Sequence, residues 1–294
     1  MSSLLFLIAS IILTAWLTIS FKIIDRLGIN NLQAIVCNYT VCVITGSIVN
    51  GSFPVNGALV QQPWLGWALV MGACFISIFN LAAYTVQKIG VAAATVAYKL
   101  SLVIPFLFSL YLYHEEATML KFAGVALALL AVWFTTRPAD GGKKGKKVSW
   151  LIWVMPLLLF VGSGLLDTMI KYVEQAFINP ANQDAYLITA FFVAASVGWV
   201  ILFYLFATGK QQLSGRAVLA GIGIGIPNYF SIWCLLGALK GYANNSSAII
   251  PINNMGIVLF TAMVAWLIFK EKLSATNWLG IALSLGAIAL IAYG

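Results

Sequence analysis

The stretch "FAGVALALLAVWF" (122–134) carries no polar side chain on any face. A strand of a membrane barrel would alternate polar and apolar residues over ~10 positions, and a helix on a soluble core would show a polar stripe. "LGIALSLGAIALIA" (279–292) reads the same way, with Ser284 its one polar residue. Both predict helices surrounded by lipid or protein. The whole chain agrees: its 294 residues are 62% hydrophobic and 8% charged, and its mean hydropathy is +0.98, against ~45–50% apolar and ~25% charged in soluble domains. A soluble core could not hide that much apolar surface, which excludes a cytosolic enzyme, a secreted disulfide scaffold and a disordered chain. A crossing needs ~20 apolar residues. Ten such runs lie at about 4–24, 31–50, 64–86, 91–113, 118–136, 150–171, 184–207, 217–239, 245–269 and 275–293. The expectation is an all-α, multi-pass integral membrane protein of a bacterial inner membrane. The first run lacks a positive flank and is too long for the ~7–15-residue core of a signal peptide, so it reads as a span.

Composition breaks once, at "RPADGGKKGKKVSW" (137–150). This Gly- and Lys-rich piece reads as a flexible linker over 137–149, separating 1–136 from 150–294 with five runs in each half. The halves resemble each other in order. "FISIFNLAAYT" (75–85) pairs with "YFSIWCLLGAL" (229–239), and "EEATMLKFAGVALAL" (115–129) with "EKLSATNWLGIALSL" (271–285), aligning Glu115 with Glu271 and Gly124 with Gly280. "TISFKIID" (18–25) pairs more weakly with "DTMIKYVE" (167–174), aligning Lys22 with Lys171. An odd number of spans per half puts the second half upside down against the first, an inverted repeat of five plus five around a central cavity. Two related conformations, one opening each way, are what alternating access requires, so the expected class is a transporter.

Trp16 and Lys22 in the first span, Pro105 in the fourth, and a Glu followed by a Gly in the next helix after the fourth and ninth spans (Glu115 and Gly124; Glu271 and Gly280) carry a family likeness. Across nearly its whole length the chain resembles the drug/metabolite transporter superfamily, in its EamA-domain branch. The resemblance implies two five-helix EamA-like repeats and a cavity lined by spans 1, 3, 4, 6, 8 and 9, with both termini cytoplasmic. The chain departs from the pattern at His114 and Lys270, where the family has Gly before Glu, and at Lys99.

Polar residues at bilayer depth are the candidate site, because a charge there costs about 2.5–3.5 kcal/mol on insertion scales and an unpaired amide is expensive. Lys99 lies well inside the fourth run and is read as a cavity lysine for an anionic or carboxylate-bearing, amino-acid-like substrate; an internal ion pair or a snorkelling stem is the alternative. Asn80 and Tyr84 share a face of the third span with Ser77. Asn228, Ser231 and Trp233 follow Pro227 in the eighth, and Asn253 and Asn254 follow Pro251 in the ninth, aligning near Ala97 and Tyr98. Interhelical hydrogen bonding is the other use for such amides. Trp16, Tyr98, Tyr229 and Trp233 are the aromatic complement, with plain packing as their alternative. Asp167 and Lys171, one turn apart on the sixth span, form a candidate ion pair. Asp167 is also the best-placed proton carrier, since a carboxyl group taken out of water holds its proton more readily. Glu115, Glu116 and Glu271 sit at span ends, in solvated or gating roles.

Enzyme chemistry has little to stand on. His114 is the only histidine, at a span end, and phosphate loops and CxxC motifs are missing. Cys37, Cys42, Cys74 and Cys234 all fall in apolar runs, as small buried hydrophobes. No cofactor or metal is expected. The partners expected are a small-molecule substrate and the bilayer rather than nucleic acid, for a monomer or alternatively a dimer. Counting spans puts three Lys and Arg on the side of the termini and twelve on the linker side, which by the positive-inside rule places the linker in the cytoplasm and both termini outside. The function expected is secondary transport of a small organic metabolite. The rivals are a cation or drug exporter coupled through Asp167 and a non-transporting assembly subunit docking through the linker.

Overall fold

Several of the apolar runs start or stop at capping residues. The computed structural model describes residues 3–113, 118–137, 150–179, 182–241 and 246–293, and among them the chain is helical without strands. The helices are α1 (Ser3–Arg26), α2 (Asn31–Asn50), α3 (Leu65–Ile89), α4 (Val91–Leu100), α5 (Val103–Tyr113), α6 (Met119–Thr136), α7 (Leu151–Phe177), α8 (Gln183–Ala207), α9 (Gly215–Gly241), α10 (Ser246–Leu267) and α11 (Ala275–Tyr293). Asn30 caps α2 by accepting the Gln33 N–H, and Gly51 closes that helix in the left-handed region at φ 74°. Thr118 caps α6 through the Lys121 N–H. Ser274 and Asn277 cap the start of α11 reciprocally: the Ser274 N–H donates to Asn277 Oδ1 at 2.9 Å and the Asn277 N–H to Ser274 Oγ at 3.2 Å.

Ten of these helical stretches are long and apolar enough to cross a membrane. Nine runs of the sequence reading correspond to single helices. The fourth, read as one span over 91–113, is broken: α4 ends at Leu100 and α5 begins at Val103. Pro105 explains the break, since it has no N–H and its ring collides with the carbonyl four residues back, on Ser101. That carbonyl accepts the Ile104 N–H at 2.9 Å instead, and the Ser101 hydroxyl donates to the Tyr98 carbonyl. α7 runs to Phe177, beyond the expected end at 171, because hydropathy marks where a helix leaves the apolar layer and not where its backbone hydrogen bonds stop.

The helices form two compact units. One comprises 1–22, 82–165 and 231–294, the other 23–81 and 166–230. In the first unit α6 and α11 pack most extensively, antiparallel and through glycines. A Cβ on Gly124 would come within 2.8 Å of Ile291 and 3.1 Å of the Ala287 carbonyl oxygen, and one on Gly280 within 2.7 Å of the Thr135 amide and 3.0 Å of the Ala131 carbonyl oxygen. Ile11 of α1 fills the space over Gly256 of α10, and Ile104 of α5 that over Gly164 of α7. α4 packs against α6, α10 and α11.

The second unit uses the same device. α2 and α8 run antiparallel, with Ile188 over Gly46 and Val36 over Gly198. Gly72 of α3 meets Ala190 and Val193 of α8, while Gly225 of α9 meets Asn38 and Val41 of α2. Trp64, Met71, Leu166, Val173 and Tyr186 fill its core, where the Tyr186 hydroxyl donates to Met71 Sδ at 3.0 Å.

Candidate functional site

Lys99 and Tyr98 occupy the last turn of α4, both half-buried, immediately before the break. The Lys99 ammonium lies 4.8 Å from the Tyr98 ring centroid, within cation–π range. A cation in that last turn also faces the negative end of the helix dipole, which stabilises it where lipid would not. α10, packed against α4, carries Asn253 and Asn254. Asn253 is 3% exposed, and its Oδ1 has no hydrogen-bond partner. A buried acceptor left unmet costs about 1–3 kcal/mol, so this oxygen sits ready for a donor. Asn254 is half-buried.

The other candidates of this unit, Trp16, Trp233 and Tyr84, are exposed. Trp16 on α1 is 38% exposed. Trp233 on α9 meets Phe6 edge-on at 5.4 Å, and Phe6 in turn covers Gly237. Tyr84, 42% exposed, has the Lys88 ammonium 5.4 Å from its ring centroid.

In the second unit the amides of Asn80 and Asn228 donate within the protein. Asn80 donates through Nδ2 to the Ile76 carbonyl at 2.8 Å, and Ser77 donates to the Ala73 carbonyl. Asn228 Nδ2 donates to Asn38 Oδ1 at 3.1 Å, and the Cys42 thiol donates to the Gly225 carbonyl at 3.4 Å. Tyr229 is buried with its ring against Gly46. Asp167 and Lys171 are half-buried on α7. Asn38 was missed in the sequence reading, although an amide in the middle of the second apolar run was the signal. It is fully buried, with its Nδ2 unpartnered.

The linker-side end of the first unit holds an arrangement that spacing could not reveal. Gly90 precedes α4 at φ +115° without a side chain to cap it. Glu271 supplies the cap from far along the chain, its Oε1 and Oε2 accepting the Val91 N–H at 3.0 and 3.2 Å. Lys22 Nζ stands 3.9 Å from Glu271 Oε1, and a Cβ on Gly90 would come within 2.8 Å of the carboxylate. Glu271, expected in a solvated or gating role, is thus half-enclosed as a helix cap. His114, Glu115, Glu116 and linker residues 138–149 lie outside the described residues.

No family model matches the chain. An uncharacterized protein of Haemophilus influenzae is 29% identical over 228 residues, covering 76% of this chain and 74% of that protein. A protein of known crystal structure superimposes with a TM-score of 0.56 over 98% of this chain and 95% of its own, at 17% identity. At that identity the likeness concerns the fold alone.

Proposed function

We propose that the chain is a secondary carrier of a small organic metabolite bearing an anionic group such as a carboxylate, working by alternating access between two inverted five-helix repeats, 1–136 and 150–294. One observation carries the reading: the close contacts are reciprocal. A shift of 152 residues takes Val36 to Ile188 and Gly46 to Gly198, so Gly46–Ile188 and Gly198–Val36 are one contact made twice. The same shift takes Asn38 and Val41 to Ala190 and Val193, the neighbours of Gly225 and Gly72 respectively. In the other unit a shift of 156 takes Gly124 to Gly280, Ala131 to Ala287 and Thr135 to Ile291. Shifts of 153 and 152 turn the Ile11–Gly256 contact into Gly164–Ile104. Antiparallel partners meeting through equivalent residues are what an axis in the membrane plane produces. The cuts between compact units, after residues 22 and 81 and again after 165 and 230, recur at similar intervals.

The repeats are not in the same conformation. The shift that matches Ile104 with Gly256 matches Ser101 and Leu102, where the fourth span is broken, with Asn253 and Asn254 on unbroken α10. One sequence plan in two shapes is what a carrier exchanges between repeats as it turns from one side to the other. In this reading substrate binds at the α4–α5 break. Lys99 meets the anionic group, Asn253 and Asn254 supply amides, and Tyr98 and Trp16 supply apolar surface. Asp167 is kept as the candidate for proton coupling, with Lys171 as its neighbour on α7. The resemblance to the EamA-domain branch of the drug/metabolite transporter superfamily supports the same reading.

The test is a thermal-shift screen of the purified protein against small carboxylates and amines, followed by flux in proteoliposomes. A carboxylate that raises the melting temperature, is transported, and loses at least tenfold in apparent affinity in Lys99→Ala is the expected result, since a lost charge-assisted contact is worth about 1.5–3 kcal/mol. Equal stabilisation of both proteins, or a response to amines alone, would overturn the assignment.

A further inference from the structure

The first unit contains a polar cavity of about 320 Å³ whose lining does not include Lys99. It opens among the end of α1, the α3–α4 junction, the end of α6 and the start of α11. Four cations line it: Lys22, Lys88, Arg137 and Lys272. The one carboxylate there, Glu271, is already engaged by the Val91 N–H and by Lys22. Among the described residues no carboxylate stands within salt-bridge distance of Lys88, Arg137 or Lys272. Three cations around one concave space repel one another, and an anion in it would relieve that repulsion.

Arg137 is held ready for one. The Asn277 side chain donates to the carbonyls of Phe134, Thr135 and Arg137 at 3.1, 3.1 and 2.9 Å, which fixes the end of α6. The guanidinium carbon then lies over the Trp133 ring, 4.6 Å from its centroid, in cation–π range. A guanidinium over an indole keeps N–H groups for hydrogen bonding, in the fork that suits phosphate oxygens.

Beside this cavity lies a second, of about 210 Å³, lined by Leu129, Val132, Trp133, Trp153, Leu157 and Phe160, with Thr136 and Pro156. Thr136 borders both cavities, and the Arg137–Trp133 contact joins them. The apolar one is open to the outside of the α6–α7 pair, where Trp133, Trp153 and Leu157 are exposed. A basic cavity at the helix ends, adjoining through Thr136 an apolar groove between α6 and α7, matches a ligand with a phosphate head and a hydrocarbon tail. We infer that this place binds one anionic phospholipid from the surrounding leaflet, its phosphate among Arg137, Lys272 and Lys88 and an acyl chain along Trp133 and Trp153. Basic pockets between membrane helices recognise anionic headgroups in this way. A bound lipid would tie α6 to α11 and to the capped start of α4, so it would stabilise that end of the unit.

Photo-crosslinking tests the assignment on the full chain in detergent–lipid micelles. A phosphatidylglycerol carrying a diazirine in its acyl chain should label peptides spanning 129–136 and 153–160. A phosphatidylcholine with the same chain should label them far less. The Arg137→Gln/Lys272→Gln variant should lower phosphatidylglycerol labelling there roughly tenfold, the loss expected of charge-assisted contacts, while background labelling of other helices stays constant and so reports an intact fold. Equal labelling by both lipids, or undiminished labelling of the variant, would overturn the proposal. So would inorganic phosphate competing at millimolar concentration while glycerol-linked lipid does not, since the site would then take a soluble anion. If the variant fails to fold, the same comparison is read on Trp153→Ala, which keeps every cation and should lose chain labelling at 129–136.

Discussion

Glu271 does two things at once, and the distances rank them. Its oxygens accept a backbone N–H at the start of α4 at 3.0 and 3.2 Å, whereas the Lys22 ammonium stands 3.9 Å away. A charge-assisted hydrogen bond that meets an otherwise orphaned helix N-terminus is worth about 1.5–3 kcal/mol, while a long, partly wet ion pair is worth about 0–1 kcal/mol. Glu271→Ala should therefore lower the melting temperature well beyond Lys22→Met; equal losses would show that the ion pair, not the cap, is the stabilising contact. The sequence held half of this, a glycine and no capping side chain before an apolar run, but the acid that completes the cap is 180 positions away. Local patterns do not reach that far. Lys99 was legible for the opposite reason: a charge in an apolar run is visible without knowing any partner. Asn228 shows the limit of the same rule, because an amide at depth looks alike whether it awaits a ligand or holds Asn38.

At the scale of elements, apolar run length located the crossings, since lipid thickness imposes it directly. The break between α4 and α5 was less legible: Leu100 to Val103 stays apolar enough to pass as one span, and only the Pro105 ring interrupts the ladder. For the proposed repeat, the register read from sequence and the register read from packing differ by about one turn. The sequence paired Lys22 with Lys171 and Asn253 with Ala97, whereas the packing shifts match Thr18 with Lys171 and Ser101 with Asn253. Four residues is one helical turn, and greasy helices score almost equally well after such a slip. The paired glycines fix it. Of these, Gly280 is the less forgiving: a methyl group there meets the Thr135 backbone amide at 2.7 Å, whereas at Gly124 it first meets the Ile291 side chain at 2.8 Å. Gly280→Ala should destabilise the protein by about 1–3 kcal/mol, as overpacking does, and Gly124→Ala by less, because Ile291 can change rotamer. Thermal unfolding of the two variants in one detergent checks the order, and the reverse order would refute the packing described for α6 and α11.

For the molecule as a whole, composition gave a membrane protein with ten crossings, and the helices bear that out in length and apolarity. The compact units cut across the sequence halves, each taking helices from both, and α6 and α11, one from each half, pack on each other more extensively than α11 packs on its chain neighbour α10. The proposed carrier would turn inside out by exchanging the shapes of its two repeats, so the proposal concerns exposure to the two sides. It is tested by cysteine accessibility in sealed proteoliposomes. Asn254→Cys is placed in a protein whose Cys37, Cys42, Cys74 and Cys234 are replaced by Ser, and membrane-impermeant maleimide is added to one side at a time. A carrier of this kind is labelled from either side, with transported substrate slowing both reactions. Labelling from one side only, whatever substrate is present, would contradict the proposal.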